Sequence, residues 1–274
     1  MYKKAFTHGG LFHADDVFAT ALLMIINPDI IIHRGFQVPE NFDGIAYDIG
    51  FGEYDHHQAN KRVRENGIPY ASFGLLWEKF GSSLVGEEEA LRFDEEFVQP
   101  LDLADNTGKE YILSQLIADR NTTWKDTDVD NEKRFFEAVD FAKEILKYRL
   151  SQILSEKEAY LIVTKWAKNM KDKILYLEYP LPWKQAVKEL ECLFVIYPSN
   201  RGGYNVQAVP MGEDKGELRL AFPKNWRGKN AEELQNITGI KELTFCHASG
   251  FLCAVETKEQ AYEVARLAIS MNER

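Results

Sequence analysis

The sequence lacks the features of several common protein classes, beginning with cysteine. Its 274 residues include three cysteines, Cys192, Cys246 and Cys253, which form no CxxC pair. An odd number of cysteines, and so few of them, argues against a disulfide framework or a structural zinc site. The simpler inference is that the protein resides in a reducing compartment. No apolar run reaches the roughly 20 residues that a membrane-spanning helix needs. Because the first residues also do not resemble a signal peptide, we expect a soluble cytoplasmic protein.

Basic residues are also few relative to acidic ones. The chain has 33 Lys and Arg against 43 Asp and Glu, which gives a formal net charge of -10 and a pI near 5.2. A protein that coats long duplex nucleic acid shows the opposite balance, because clustered Lys and Arg must neutralise the phosphates. A nucleotide or a short strand held in a local basic cleft is still compatible with this charge.

The length and the 45% hydrophobic residues allow one large domain or two modest ones. The first fifty residues predict, in order, a strand at 3–7, a helix ending near 26, and strands at 30–32 and 45–48. This alternation predicts a parallel sheet with right-handed crossovers. Ligands of such sheets gather outside the carboxyl ends of the strands, where His8 and Asp48 are expected to lie.

Four of the six histidines fall in two turns of this predicted sheet. One turn contains His8, His13, Asp15 and Asp16, and the other contains Asp48 followed by Asp55-His56-His57. Imidazole and carboxylate together suit Mn, Fe, Co or Zn, so the clustering predicts a metal site. The alternatives are a polar turn with solvated histidines and, for Asp15 or Asp16, simple capping of the helix that follows.

A further acidic pair follows two predicted helices at residues 71–80 and 86–103. A spacing of three puts Asp102 and Asp105 on one helix face, and Gly108 suits the point at which the chain leaves the helix. A solvated helix end would show the same pattern. The residues alone therefore do not decide which of the two acids, if either, binds metal.

The second half of the chain has a different character. Residues 131–170 contain no glycine or proline and predict one or two long helices. Predicted strands follow at 174–176, 192–197, 204–209, 218–221 and 251–255. Helical stretches are predicted at 183–191, 231–237 and 258–271. We therefore divide the chain into an N-terminal domain at 1–130, a helical connector at 131–170 and a C-terminal domain at 171–274.

Candidate phosphate-binding residues each have a simpler structural explanation. Arg201 precedes Gly202-Gly203, which most simply makes a hairpin turn, although an arginine beside flexible backbone also binds phosphate or carboxylate. The segments 222–228 and 245–250 are the other candidates, but a lone His247 near a strand is more often structural. The basic residues after the Asp-His-His triplet are more typical of a solvated loop than of a phosphate site: Lys61, Arg62 and Arg64.

A set of short segments along the chain carries a family resemblance. They are Thr7-His8-Gly9-Gly10, Phe12-His13-Ala14-Asp15, Tyr54–Gln58, Asp102–Gly108, Asn121–Trp124, Pro182–Lys184, Val206–Pro210, Trp226–Gly228 and His247–Phe251. The first half resembles the DHH phosphoesterase superfamily, and the whole chain resembles one branch of it, the melanocyte-proliferating-gene (MYG) exonuclease family. This combination of segments is far more specific than the triplet alone.

The resemblance implies an α/β protein with a parallel-sheet, DHH-type catalytic N-terminal domain, a helical connector and a smaller α/β substrate-binding domain. It also implies two divalent metal ions, manganese first, with Mg, Co and Zn as alternatives. By position, one ion would be held by His8, His13 and Asp48. The second would be held by Asp15, Asp48, His56 and Asp105, so that Asp48 bridges the two.

The resemblance also implies the catalytic and substrate-binding residues. His57 would face the substrate phosphate, and Asp55 would orient the neighbouring histidine. The implied substrate-binding residues are Arg227, His247, Gly250 and Arg201. Two departures from the superfamily leave Asp16 and Asp102 as alternative ligands. The superfamily has an aspartate where this chain has His13. Its fourth motif is usually Asp-Thr-Gly, where this chain has Asp105-Asn106-Thr107-Gly108.

The implied activity is that of a Mn-dependent phosphodiesterase, an exonuclease acting on short or single-stranded RNA or DNA. One alternative is a hydrolase of a small phosphate compound: a dinucleotide, a nucleoside phosphate or pyrophosphate. Another is a metal-stabilised binding protein in which the altered first motif has weakened catalysis. The sequence indicates no membrane partner and does not indicate an oligomeric state.

Overall fold

The computed structural model describes residues 2–126, 130–212 and 216–272. The chain forms two compact units, Met1–Leu154 and Ser155–Arg274. Their boundary falls inside the predicted helical connector. The three-part division at residues 130 and 170 stays a prediction.

A three-stranded parallel sheet forms part of the first unit. Its strands β1 (Lys4–His8), β2 (Ile31–Gly35) and β3 (Ile45–Ala46) are ordered β2-β1-β3. Because all three run in one direction, their carboxyl ends lie at one edge of the sheet. His8 ends β1 there, and Asp48 follows β3 by two residues. The third strand is shorter than predicted because Asp48 has a φ of 56°, outside the strand region.

Helix α1 (Ala14–Ile26) is buried on every side over its first ten residues, as its apolar composition predicts. It ends at Asn27, directly before Pro28. Helix α2 (Ser72–Val85) packs against it, and Phe18 of α1 contacts Phe73 of α2 with ring centroids 5.6 Å apart. This packing places the first turn of α2 beside the first turn of α1.

The helix predicted at 86–103 is interrupted and extends further than expected. It comprises α3 (Glu87–Phe93), one π-helical turn at Asp94–Val98, and α4 (Gln99–Thr107). Gly108 ends α4 with a φ of 67°, as predicted for a helix exit. Helix α5 (Ile112–Ala118) follows and was not predicted, because seven residues are too few to show a clear helical period.

The predicted connector forms one helix rather than two. Helix α6 (Asn131–Ala167) has 37 residues. Phe135, Val139 and Leu146 belong to the hydrophobic core of the first unit. Val163, nearer its end, belongs to a hydrophobic cluster of the second unit. The helix therefore contributes side chains to both units.

The second unit contains a five-stranded sheet ordered β4-β5-β6-β8-β7. Its strands are β4 (Ile174–Tyr176), β5 (Phe194–Pro198), β6 (Tyr204–Ala208), β7 (Leu243–Cys246) and β8 (Leu252–Val255). Strands β4 and β5 are parallel, and the other pairs are antiparallel. Helices α7 (Ala231–Thr238) and α8 (Lys258–Asn272) complete the unit. The predicted hairpin joins β5 to β6, with Gly202 and Gly203 at φ of 93° and 65°.

Two local predictions in the second unit were wrong, and one strand was not predicted. Residues 218–221 form no strand and make one isolated bridge, Pro210 to Leu218. The helix predicted at 183–191 is a single 3-10 turn at Gln185–Val187. Strand β7 was missed, because two exposed residues in the middle of its four and a bulge between Leu243 and Phe245 remove the alternating pattern.

The predicted α/β class is confirmed, with a parallel sheet in the first unit and a smaller α/β second unit. Among the helices in the described ranges, none is both long and apolar enough to cross a lipid bilayer.

Candidate metal centre

Three groups of side chains meet at the carboxyl edge of the parallel sheet. In each group, one possible ligand atom per residue lies within 4.8 Å of the others. The groups are His8 with Asp16 and Asp48; Asp48 with Asp55, His56 and His57; and Asp15 with His56 and Asp105. Asp48 and His56 are each shared by two groups. The overlap makes one continuous cluster of imidazoles and carboxylates, which suits transition-metal ions.

Asp48 directs its two carboxylate oxygens toward different histidines. Oδ2 lies 3.2 Å from His8 Nε2, whereas Oδ1 lies 3.4 Å from His56 Nδ1 and 3.5 Å from His57 Nδ1. The residue is buried, and its left-handed backbone conformation belongs to the tight turn after β3. A short polar residue tolerates this conformation better than most others. Asp48 therefore lies between His8 on one side and the two adjacent histidines on the other.

Asp15 holds the start of helix α2. Its Oδ2 accepts the N–H of Ser72 at 3.0 Å, and its Oδ1 accepts the N–H of Phe73 at 2.7 Å. These donors are among the four N–H groups at a helix start that have no partner within the helix. Asp15 therefore caps a helix, as the alternative interpretation of the sequence predicts, but this helix is α2 rather than its own helix α1. His56 Nδ1 also lies 3.7 Å from Asp15 Oδ2, so Asp15 remains within the cluster.

Asp16, rather than His13, accompanies His8 and Asp48. Its Oδ1 accepts the N–H of His13 at 2.8 Å, which caps helix α1. Its Oδ2 is buried without a hydrogen-bond partner and lies 3.3 Å from His8 Nε2. The His13 ring is exposed, with its centroid 6.0 Å from that of His8, and His13 belongs to none of the three groups. The assignment of His13 as a ligand stays a prediction.

The two acids before Gly108 have different environments. Asp105 Oδ2 lies 3.0 Å from His56 Nε2. Asp102 is fully buried, accepts the N–H of Gly74 at 3.1 Å and pairs with Arg64 at 2.8 Å. Asp102 therefore belongs to an ion pair beside the cluster of possible ligands, and Asp105 belongs to that cluster.

The sequence predicts a solvated loop at Arg64, but the structure shows that this side chain is buried. It is buried, it makes two hydrogen bonds with Asp94 at 2.7 and 2.9 Å, and its guanidinium lies 3.8 Å from the centre of the Tyr70 ring. Arg62 pairs with Glu78 at 2.8 Å, and Lys61 donates to Asn106 at 3.0 Å. Of these three basic residues, Arg64 is therefore excluded as a phosphate contact.

The electrostatics of the cluster fit a bound divalent cation. Burial, together with the charges of Asp48, Asp105 and Asp102, raises the pKa of Asp15 well above its ordinary value. Burial likewise raises the pKa of Asp16 to about 7. Burial would lower the pKa of His8, but its bond to Asp48 and the charge of Asp16 outweigh this and raise it to about 9. Crowded carboxylates of this kind take up protons unless a cation replaces them. The unpartnered Asp16 oxygen is likewise available to a cation.

His57 and Asp55 form a hydrogen-bonded pair within the cluster, in which Asp55 is buried and His57 is exposed. The His57 side chain is 56% exposed, and its Nδ1 lies 2.8 Å from Asp55 Oδ1. Burial would raise the pKa of Asp55, but bonds from the backbone and ring of His57 and from the Phe51 N–H lower it. His57 therefore contacts Asp55 Oδ1 twice, through its backbone N–H at 3.1 Å and through its ring Nδ1 at 2.8 Å.

Ser72 is a member of the site that the sequence did not reveal. Its hydroxyl donates to Asp48 Oδ1 at 3.4 Å and lies 3.3 Å from His56 Nδ1. The residue begins helix α2 and is fully buried. Serine is common at helix starts, so its position in the sequence carries no signal of this contact.

A cavity of about 930 Å³ in the first unit contains the exposed side of the cluster. Its lining includes His8, His13, Asp48, His57 and Asp105. His57 and the shared carboxylate Asp48 therefore both border this open space. The site in the first unit thus combines a buried ligand cluster with an open binding space.

The proposed substrate residues of the second unit fall into two places. Arg201 and His247 line one cavity of about 630 Å³. Arg227 donates from Nε to the Phe222 carbonyl at 2.8 Å and lies against Gly250. A Cβ added at Gly250 would be 2.5 Å from Arg227 Nε, which explains the glycine there. Neither Arg227 nor Gly250 lines the cavity that contains Arg201.

Asp and His side chains cluster at the carboxyl edge of a parallel sheet. The protein is therefore an α/β protein with a candidate divalent-metal centre. The family model MYG1_exonuc, described as an uncharacterised protein family (UPF0160), matches residues 4–269. The chain therefore belongs to this family, and the predicted resemblance to the MYG family is confirmed.

Relatives from distant eukaryotes match almost the whole chain. The human protein named MYG1 exonuclease is 28% identical over 96% of this chain and 85% of its own length. The MYG1 protein of Dictyostelium discoideum is 28% identical over 94% of each chain. The Saccharomyces cerevisiae MYG1 protein YER156C is 24% identical over 98% of this chain and 96% of its own. Among solved structures, RecJ in complex with Mg2+ from Thermus thermophilus has a TM-score of 0.30 at 11% identity, covering 98% of this chain and 50% of that one. A similarity that low supports no inference.

The two acids give a direct test of the ligand assignment. Asp102→Asn should lower the free energy of unfolding by about 1–3 kcal/mol, because it weakens a buried bond to the charged Arg64. Asp94 still accepts from Arg64, which limits the loss. Asp105→Asn should instead reduce metal affinity and leave the melting temperature of the metal-free protein nearly unchanged. Chemical denaturation and metal titration of both variants measure these effects. Normal metal affinity in Asp105→Asn would contradict the assignment.

Proposed function

We propose that the protein is a metal-dependent phosphodiesterase, an exonuclease acting on short or single-stranded RNA or DNA. One observation carries the proposal: three groups of possible metal ligands lie at one edge of the sheet, and Asp48 and His56 each belong to two of them. Membership of a family whose human relative is named MYG1 exonuclease supports the nuclease activity.

The residues of the cluster divide into ligands and a proton-transfer pair. Two ions are proposed, manganese first, held by the His8 side and the His56 side of Asp48, with Asp15 and Asp105 on the latter. When bound, such ions would neutralise phosphate charge and activate water. His57, oriented by Asp55 through Nδ1, would exchange a proton with the substrate at Nε2. Phosphoryl transfer depends mainly on such positioning and charge stabilisation.

A product-release assay tests the proposal directly. The protein is stripped of metal with a chelator and then supplied with Mn2+. It is offered labelled single-stranded oligonucleotides of RNA and of DNA, dinucleotides and pyrophosphate side by side. We expect mononucleotide release from oligonucleotides only when metal is present. Turnover of pyrophosphate alone would replace the nuclease by a small-phosphate hydrolase, and metal binding without any turnover would indicate a binding protein.

Arg227 is proposed to contact a phosphate of the substrate. Its stem is held by the Phe222 carbonyl, and no ion pair is found for it in the part of the chain that the structure describes. Arg227→Ala should raise KM for oligonucleotides roughly 10–150-fold, as expected for loss of a charge-assisted hydrogen bond of about 1.5–3 kcal/mol. Metal content should not change. Arg266→Ala, which removes an exposed arginine of the second unit, is the control. A lower melting temperature with unchanged KM would show that Arg227 only stabilises the fold.

A further inference from the structure

Phe51 has an unusual backbone for a large residue. Its φ is 55°, in the left-handed region that bulky side chains rarely adopt. The turn that contains it also has Asp48 at 56° and Gly50 at 88°. The Phe51 N–H donates to Asp55 Oδ2 at 2.6 Å, and the other oxygen of that carboxylate holds His57. The conformation of Phe51 is thus maintained by the same carboxylate that orients His57.

The ring of Phe51 does not contribute to the hydrophobic core. It is 73% exposed, and within the described residues no ring contact is found for it. A glycine would adopt this backbone without strain, so local conformation does not explain a phenylalanine here. One exposed aromatic ring is common on protein surfaces and needs no explanation by itself. The combination with a strained backbone is more informative, because such strain concentrates at functional sites.

Phe51 lies between two cavities of the first unit. It lines the cavity of about 930 Å³ that contains His57 and Asp48. It also lines a neighbouring cavity of about 380 Å³, whose walls include Lys61 and Arg62. Lys61 is exposed and lines both cavities. An exposed apolar ring and a basic side chain therefore both line the cavity that contains the ligand cluster and the cavity beside it.

We propose that Phe51 is a stacking platform for an unpaired base of the substrate, next to the phosphate held at the metal centre. Lys61 would contact the following phosphate. This inference rests on the proposed nuclease function and narrows its substrate to a single-stranded chain that carries bases. Aromatic rings bind bases of any sequence in this way, because every base has a flat face, and basic side chains follow the backbone. In a duplex the two faces of an internal base are covered by stacking, so a single-stranded end is the better substrate.

Substitutions at Phe51 separate stacking from other effects. Phe51→Ala and Phe51→Leu remove the flat ring, whereas Phe51→Tyr keeps it. Phe36→Ala is the matched control, because Phe36 is 86% exposed in the same unit and lines neither cavity. Elemental analysis and melting temperature should show normal metal content and folding in all four variants.

Two chains of equal length serve as substrates with Mn2+: a five-residue oligodeoxynucleotide and one in which every residue is abasic. Phe51→Ala and Phe51→Leu should raise KM for the base-bearing chain by roughly 5–150-fold, the range for loss of one base stack. KM for the abasic chain should not change, and Phe51→Tyr and Phe36→Ala should match the wild type. Equal effects on both chains, or none on either, would overturn the stacking role.

A binding measurement keeps this result separate from the proposed activity. Fluorescence anisotropy of labelled chains is measured in a chelator, where no metal-dependent turnover occurs, with and without Phe51→Ala. Weaker binding of the base-bearing chain alone supports stacking, and unchanged binding contradicts it. If the wild type hydrolyses neither of these chains nor the RNA oligonucleotide of the product-release assay in Mn2+, the nuclease function fails. If it hydrolyses both chains and Phe51→Ala behaves identically, only the stacking inference fails.

Discussion

Asp48→Asn is expected to lower the metal content from about two ions per chain to fewer than one. Its two carboxylate oxygens lie near His8 on one side and near His56 on the other, so one substitution affects both groups. Loss of a hydrogen-bonding residue that only supports a metal ligand costs about 10–100-fold in affinity, and loss of a shared ligand should cost more. Turnover of oligonucleotides should fall with the metal content.

Asparagine is the informative replacement at this position. It adopts left-handed backbone readily, so the turn at Asp48, with its φ of 56°, should persist. Alanine would combine loss of the ligand with backbone strain. Asp29→Asn, which changes an exposed aspartate of the same unit, controls for the general effect of removing a negative charge. Unchanged metal stoichiometry in Asp48→Asn, measured by elemental analysis, would refute the bridging role.

Substitutions of the two adjacent histidines, His56 and His57, are expected to affect metal content and turnover differently. His57→Ala should retain metal and reduce turnover by about 10²–10⁴-fold, as for loss of an acid–base group. Its side chain is 56% exposed and bonded to Asp55, whereas the His56 side chain is 6% exposed and lies 3.0 Å from Asp105. His56→Ala should therefore lose metal, and its turnover should be restored in part by excess Mn2+.

Metal content and kcat are measured together for both histidine variants. His33→Ala is the control, because His33 is an exposed histidine on strand β2 outside the cluster. Asp55→Asn should resemble a weaker form of His57→Ala, since the asparagine no longer accepts two bonds from His57 at a charged oxygen. Equal metal loss in His56→Ala and His57→Ala would make His57 a ligand rather than a proton-transfer group.

Local patterns in the sequence were sufficient to predict much of the first unit. Short apolar runs separated by a buried helix indicate a parallel sheet, and polar residues at strand ends indicate the edge where ligands bind. His8, Asp48 and the residues 55–57 lie at that edge, as predicted. The family was predicted from motifs spread along the chain, and it is confirmed by the match over residues 4–269.

The weaker predictions involve residues whose roles depend on distant partners. Asp102 and Asp105 share one spacing on one helix, yet Asp102 pairs with Arg64, 38 residues earlier in the chain. A helical period places side chains on a face but does not say what packs against that face. The prediction of a strand at 218–221 was wrong for the same reason, because it also depends on distant partners. An apolar run forms a strand only where a neighbouring strand offers hydrogen bonds along its length.

What the sequence by itself determined is the α/β class, the family and the two turns that carry the metal-binding residues. Only the tertiary structure decided that Asp15 caps helix α2 at Ser72, 57 residues away, and that the Asp16 carboxylate lies 3.3 Å from the His8 ring. Only it revealed the exposed ring of Phe51 beside the cluster. The physical reason is that a side chain's residue type sets the bonds it can make. Burial and the neighbours brought to it by packing select which of those bonds form.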